Sequence, residues 1–398
     1  MLLGTNIEFA HEHNQRIVLE TVRLHGPLSR ADISRHTSLT VQTIGNIVGK
    51  FLERGVFESR GRRVGKRGQP AIQIAVNPDG AHAVGLQLDR DHLTGVLVNL
   101  DGLVNFRVVT EWRFPTPDEA LPLLAQAVEH LCAQAGVSST KLWGVGVGVP
   151  GPIDIREGRL LAPPNFPGWD NYALRDELAS LVNVPVYVET DATAAAIGDH
   201  WHGAGQRGDF FYVYLGEGIG GGLILDGHPY RGSSGSAGAF GHVSVDPYGG
   251  KCECGGTGCL ELYASLSALH RTLEAEGRPY RREELVPMLV QGDKTLALWL
   301  EQAADRIVIA LVAMANLLDP KSIVFGGRFP EPLLDRLLEL VRERLPSRSL
   351  CSLNGGATVE RALSSEDGVA LGAAVLPLHH VFTPAHELLL KKFVGVPA

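Results

Sequence analysis

Sulfur and aromatic rings are scarce in this chain. Its 398 residues include three methionines and five cysteines, and aromatic residues make up 7%. So few cysteines, most of them crowded into one stretch, argue against a disulfide framework and fit a reducing cytoplasm. No apolar run reaches the length of a bilayer span, which argues against a membrane partner. The opening MLLGTNIEFAHEHNQR has no signal-peptide layout. The apolar fraction of 44% is ordinary for a globular protein able to bury a core, and the length suits two or three domains.

Three of the five cysteines fall in GHVSVDPYGGKCECGGTGCLE, from Gly241 to Glu261, while Cys132 and Cys351 stand apart. Cys252, Cys254 and Cys259 follow a C-x-C-x4-C spacing, with His242 ten residues upstream. Thiolate and imidazole are the donors that four-coordinate zinc prefers, and four of them complete a closed, structural site. The glycine pairs between them allow the tight folding needed to bring three sulfurs to one ion. The alternative is a chance cluster in a glycine-rich loop.

The net charge of −8 is unevenly spread: the first 80 residues carry eleven basic and seven acidic side chains, +4, which leaves −12 for the remainder. A basic end on an acidic body suits a polyanion-binding head. The spacing predicts a helix over Gln15 to His25, ended by Gly26-Pro27. A short helix opened by a capping box at Ser29 to Asp32 follows and runs through His36. A third helix, about Val41 to Arg54, has Thr40 as N-cap and Ile44, Ile47, Val48, Phe51 and Leu52 as its buried stripe. Two β-like runs then flank the basic tip RGRRVGKRGQP. This is the pattern of a winged helix-turn-helix over residues 1–79, with double-stranded DNA as partner. Thr40, Gln42, Thr43 and Asn46 stand near the start of the third helix, where side chains reach base edges or phosphates, and Lys50 is expected on phosphate. Arg62, Arg63, Lys66 and Arg67 in the wing would neutralise phosphates or enter a narrow minor groove. A protein-binding winged helix with a solvated basic loop is the competing reading.

From Ala81 onward strand-like and helical stretches alternate. A hairpin is expected over Val84 to Leu88 and Thr94 to Leu100, a helix over Leu121 to Gln134, and strands over Leu142 to Val149 and Val184 to Val188. Asp191 follows at the carboxyl end of the last strand, where open α/β sheets place ligands. A helix from Thr193 to His200, a hairpin around GEGIGGG, and helices at Leu296 to Leu318 and Pro332 to Leu345 flanking a strand at Ser322 to Phe325 complete the pattern. The expectation is an α/β body of two lobes with a cleft between them, residues 80–200 and 201–379. A C-terminal helix over 380–398 is expected to pack back on the first lobe.

The cysteine motif, together with PPNFPGW (Pro163 to Trp169), ETDATAAAIGD (Glu189 to Asp199), LGEGIGGG (Leu215 to Gly222) and DPKSIVFGG (Asp319 to Gly327), resembles the ROK family of repressors, open reading frames and kinases over nearly the whole chain. The resemblance implies an actin-like, sugar-kinase body of ribonuclease H-like lobes. Family members with a winged helix look like repressors of sugar genes, and those without it are mostly sugar kinases. By resemblance Asp191 corresponds to the kinases' catalytic base, Glu261 to a second sugar-binding carboxylate, His242 to a zinc ligand beside the sugar, and Asn165 to a residue near the cleft. Thr190 takes the place of the family's usual Asn before the aspartate, and Ala239 that of a Glu. Capping of the following helix is the ordinary alternative for Asp191.

The family's phosphate loop resembles G-x-D-x-G-G-T-K. Here it reads Gly85 to His92, with Gln87 for the aspartate and Asp89, Arg90 and Asp91 where the glycines and threonine belong. Side chains there would block backbone approach to phosphate, and carboxylates would repel it. A non-phosphorylating sensor follows: a regulator, in the repressor sense, of carbohydrate genes, holding structural zinc, answering to a sugar or sugar derivative, and binding its operator as a homodimer or homotetramer. The alternatives are an ATP-dependent sugar kinase with a DNA-binding head, and a regulator controlled by a protein partner.

Overall fold

The computed structural model describes residues 7–63, 71–164, 166–203, 207–345, 357–363 and 366–382. The expected wing residues Lys66 and Arg67, the cleft residue Asn165, and 383–398 of the expected C-terminal helix lie outside them.

The head opens with α1, Ile7–His25, which begins well ahead of Gln15. Its polar stretch His11 to Asn14 carries an Arg16–Glu12 ion pair at 2.8 Å, one turn apart, and interrupts the apolar periodicity. The Ser29/Asp32 capping box starts α2, Arg30–Thr37, and Ser38 ends it with φ 58°. In α3, Val41–Glu53, the Thr40 hydroxyl accepts from the Thr43 N–H at 3.2 Å. Ile44, Ile47, Val48 and Phe51 are buried, while Leu52 is partly covered. Strands β1, Phe57–Arg63, and β2, Ala71–Val76, pair antiparallel with Phe57 opposite Val76.

The first lobe contains β3 (His82–Leu88), β4 (His92–Asn99), β5 (Val104–Glu111), α4 (Pro117–Ala135), β6 (Leu142–Val149), β7 (Ile153–Asp154), β8 (Arg159–Leu160), α5 (Leu174–Val182), β9 (Val186–Thr190) and α6 (Asp191–His202). Its sheet has the order β5-β4-β3-β6-β9, with β3, β6 and β9 parallel. The second lobe contains β10 (Phe210–Leu215), β11 (Ile219–Leu225), β12 (His228–Tyr230), α7 (Glu261–Ala264), α8 (Leu266–Ala275), α9 (Leu285–Val290), α10 (Lys294–Leu318), β13 (Ser322–Gly327), α11 (Glu331–Arg344) and β14 (Thr358–Arg361). Its sheet has the order β12-β11-β10-β13-β14, with β10, β13 and β14 parallel. Each lobe thus has a mixed sheet with an antiparallel edge.

The outer faces are covered by α4 and α5 in the first lobe and by α10 and α11 in the second. Between the sheets lie α6 and a last helix, α12, Gly368–Phe382, which packs on β3, β6 and α6. A helix that packs on the first sheet thus lies upstream of the expected 380–398, most of which falls outside the described residues. It is apolar nearly all round and buried on every side, so it lacks the amphipathic period that marks a surface helix. Small residues permit the approach: a Cβ on Gly372 would run into the backbone of Ala194 in α6, and one on Gly146 into that of Ala373.

The head is docked on this middle layer. The Arg23 guanidinium of α1 lies 3.8 Å from the ring centroid of Trp201, in the last turn of α6, and Trp201 meets Phe382 of α12 edge-on. At the joint the Asn77 amide donates to the Gly55 carbonyl at 2.7 Å and Lys141 to that of Asp79 at 3.0 Å.

Candidate functional site

A cavity of about 420 Å³ opens between the lobes. Asp191, Thr190, His242 and Glu261 line it, so four of the five expected cleft residues come together. Thr190 ends β9 in the N-cap position, which makes Asp191 the first residue of α6. The Asp191 carboxylate accepts the Ala192 N–H at 2.7 Å. Burial, with the charge of nearby Asp89 adding to it, pushes its carboxyl up to about 7. The Thr190 hydroxyl donates to that of Thr193 at 2.9 Å. Glu261 starts α7, and its Oε2 accepts the Ile219 N–H at 3.1 Å, tying α7 to the glycine-rich turn between β10 and β11. Ala239 stands in the wall where a longer side chain would reach into the cavity.

The turn after β3 presents side chains to the cleft, and Asp89 and Arg90 line the same cavity. Gln87 is buried and donates to the Tyr214 hydroxyl of the opposite lobe at 3.2 Å. Arg90 turns its Nε and Nη2 onto the Pro164 carbonyl at 3.0 and 2.9 Å. Asp91 pairs with His92 and, across the lobes, with Arg328 at 3.3 Å. Burial works against the Asp91 charge, but His92 and Arg328 outweigh it and hold its carboxyl below the usual range. Glu217, in the turn after β10, accepts from the Ser267 hydroxyl at 2.7 Å. A phosphate approaching the turn after β3 would meet these side chains rather than bare backbone.

The Cys3His cluster forms as its spacing suggested. The donor atoms of His242, Cys252, Cys254 and Cys259 all lie within 4.8 Å of one another. Cys252 Sγ is 3.6 Å from His242 Nδ1, and Cys254 Sγ is 3.6 Å from Cys259 Sγ. A disulfide would need about 2.05 Å. A tetrahedral ion at about 2.3 Å from each sulfur separates two sulfurs by about 3.8 Å. Geometry and donor chemistry therefore fit a metal. Burial, and then the neighbouring thiols, push the Cys259 thiol up to about 12, a cost that a cation among them relieves. The Gly256 N–H donates to Cys254 Sγ at 3.4 Å. The loop requires glycine at Gly258 (φ 64°), where a Cβ would strike the Asp246 backbone. Behind it, Arg306 of α10 donates to the Val245 carbonyl and to Asp246 at 3.2 and 3.3 Å.

On the head, α3 exposes Gln42 and Asn46. Thr43 is engaged with Thr40, their hydroxyls 2.9 Å apart, and Lys50 donates to His11 of α1 at 3.2 Å. Arg62 and Arg63 end β1 at the edge of the wing. Near the cleft stand residues that sequence reading did not single out. Glu189, buried behind Thr190, pairs with Arg231 at 2.7 Å, and Arg328 pairs with Asp91 at 3.3 Å. Their partners lie 42 and 237 positions away, so no local pattern marked them.

Comparison with known proteins agrees with this architecture. The xylose repressor of Bacillus subtilis (strain 168) is 27% identical over 375 residues, covering 94% of this chain and 96% of that protein. The crystal structure of a ROK family transcriptional regulator, a homologue of the E. coli Mlc protein, shares the fold with a TM-score of 0.80 at 23% identity, over 94% of this chain and 97% of that one. A ROK family glucokinase from Streptomyces griseus, solved with glucose and AMPPNP, matches with a TM-score of 0.65 at 28% identity, over 74% of this chain and 99% of the kinase. The ROK family profile covers residues 83–380, and the chain belongs to the ROK family.

Proposed function

We propose that the protein is a DNA-binding transcriptional repressor of carbohydrate-metabolism genes, released by a sugar or sugar derivative that binds between the lobes without being phosphorylated. The observation that carries this reading is the contrast within one cleft. Asp191, Glu261 and His242 line an open cavity, while at the turn where a kinase would hold phosphate Arg90, which lines the same cavity, and the Asp91–Arg328 pair stand in place of bare backbone. Carboxylates suit a sugar because each accepts more than one hydroxyl with charge-assisted strength. The names of the relatives, a xylose repressor among them, support the same assignment.

The four-ligand cluster would hold zinc with no open position, a structural role. Bound there, zinc would tie the segment carrying His242 to the start of α7 and so fix Glu261. His242, Cys252, Cys254 and Cys259 supply the donors. A symmetric homodimer or homotetramer would present paired heads to a palindromic operator.

The kinase likeness and the glycines of Gly216 to Gly222 support a second reading, a sugar kinase carrying a DNA-binding head. One experiment separates the two. Thermal shift with a panel of neutral sugars, each then incubated with magnesium ATP, should find one sugar that stabilises the protein and is not phosphorylated. A ligand at a hundred times its Kd contributes about 2.7 kcal/mol. Phosphorylation at about 1 s⁻¹ or faster, the low end of ordinary enzyme rates, overturns the repressor-only reading.

A further inference from the structure

Helix α3 exposes two carboxamides on one face, with a clear path to each. Gln42 and Asn46 are one turn apart and exposed. Neither makes a side-chain hydrogen bond among the described residues. Gly45 and Gly49 complete the i, i+3, i+4, i+7 face that begins at Gln42. Glycine inside a helix is disfavoured relative to alanine. A Cβ at either position would meet no atom within 4 Å, so no contact among the described residues requires the gap. Val41, 57% exposed, adds an apolar group in the first turn. The one cation of the helix interior, Lys50, is engaged with His11.

We infer that this face seats in the major groove over A·T base pairs, with Gln42 and Asn46 specifying adenine and Gly45 and Gly49 giving the clearance that lets them reach it. The inference rests on the DNA-reading role of the head proposed above. A carboxamide offers one donor and one acceptor, which match adenine N7 and N6–H₂ as a bidentate pair. Guanine shows two acceptors in the groove and is read by Arg or Lys; the one such residue on this helix, Lys50, is engaged with His11. An exposed Val41 suits the thymine methyl, the apolar group of the major groove. Bare glycine positions bring the helix backbone closer to the DNA by the depth of a side chain.

The test uses the full chain and a library of duplexes with a randomised core, the bound fraction sequenced at physiological salt. Enrichment of A·T pairs at fixed positions in each half-site is expected. On the enriched duplex, Gln42→Ala and Asn46→Ala should each weaken binding about tenfold to a hundredfold and erase the preference at one position. Gly45→Ala and Gly49→Ala should weaken it tenfold or more, with melting temperature unchanged or higher because alanine favours the helix. Enrichment of G·C at the positions that respond to Gln42 and Asn46 overturns the inference, as do glycine variants that bind like the parent. Binding without any sequence enrichment, unaffected by all four variants, overturns the DNA-reading role itself.

Discussion

Replacing Asp191 with Asn should stabilise the protein, and increasingly so as pH rises. In the folded state burial and the charge of Asp89 move the Asp191 carboxyl from 3.8 to about 7. A carboxyl whose folded value is raised binds its proton more tightly in the native state. Stability is therefore full below the unfolded value and falls as pH climbs from about 4 towards 7. Each unit of displacement corresponds to about 1.4 kcal/mol, so the complete penalty above pH 7 is roughly 4 kcal/mol. Asparagine carries no charge, keeps an oxygen for the Ala192 N–H, and removes the penalty. Between pH 5.5 and pH 8 the gap between variant and parent should widen by about 2 kcal/mol, the part of the penalty accumulated between 5.5 and 7. Melting curves of both proteins at several pH values measure that gap, and subtracting one from the other cancels the groups they share. The same substitution should weaken sugar binding, because the charge-assisted acceptor is lost. A gap that stays constant with pH, or an Asn variant less stable than the parent at pH 8, refutes the assignment of a strained, buried carboxyl to the cleft.

Cys254→Ser should lower zinc content and operator affinity together; full metal stoichiometry by elemental analysis with normal DNA binding refutes the structural zinc. Ala239→Glu should tighten binding of neutral hexoses by about 1.5–3 kcal/mol, the worth of a hydrogen bond to a charged group, and calorimetry reads it. An unchanged Kd would mean that this wall does not face the sugar. Burial, and next to it the Arg23 charge, hold the His200 and His202 imidazoles below their ordinary value. Arg23→Gln should move both upward in an NMR titration, and no movement would place Arg23 elsewhere than on Trp201.

The elements readable in the sequence are those whose stability is local. The Leu142 to Val149 strand has the bounds its apolar run suggested, and α2 starts where its capping box put it. The cysteine cluster was legible because its ligands fall in one short loop, so spacing alone limits how they fold. Three things were hidden. The stretch of α1 before Gln15 includes the polar run His11 to Asn14, where Glu12 pairs with Arg16. In α12 burial on all sides leaves no period to read. Side chains at the turn of 87–91 follow from the substitutions there, but their partners, Tyr214 and Arg328, come from the other lobe and are set by tertiary packing.

The most consequential of these hidden features is the middle layer. Helix α6 begins with Asp191 in the cleft and ends with Trp201 under Arg23 of the head, about 15 Å along one rigid element at 1.5 Å per residue. Its small residues bring it against α12 with no room for an added methyl, and α12 in turn lies on β3 and β6. Close packing of this kind does not yield by gradual compression, so a displacement at one end of α6 carries to the other. Burial and Asp89 make charge at Asp191 unfavourable, and a ligand that donates hydroxyls to it would favour the ionised form. Under the proposed function, the cleft carboxylate that would meet a sugar is thereby the first residue of the helix on which the head rests.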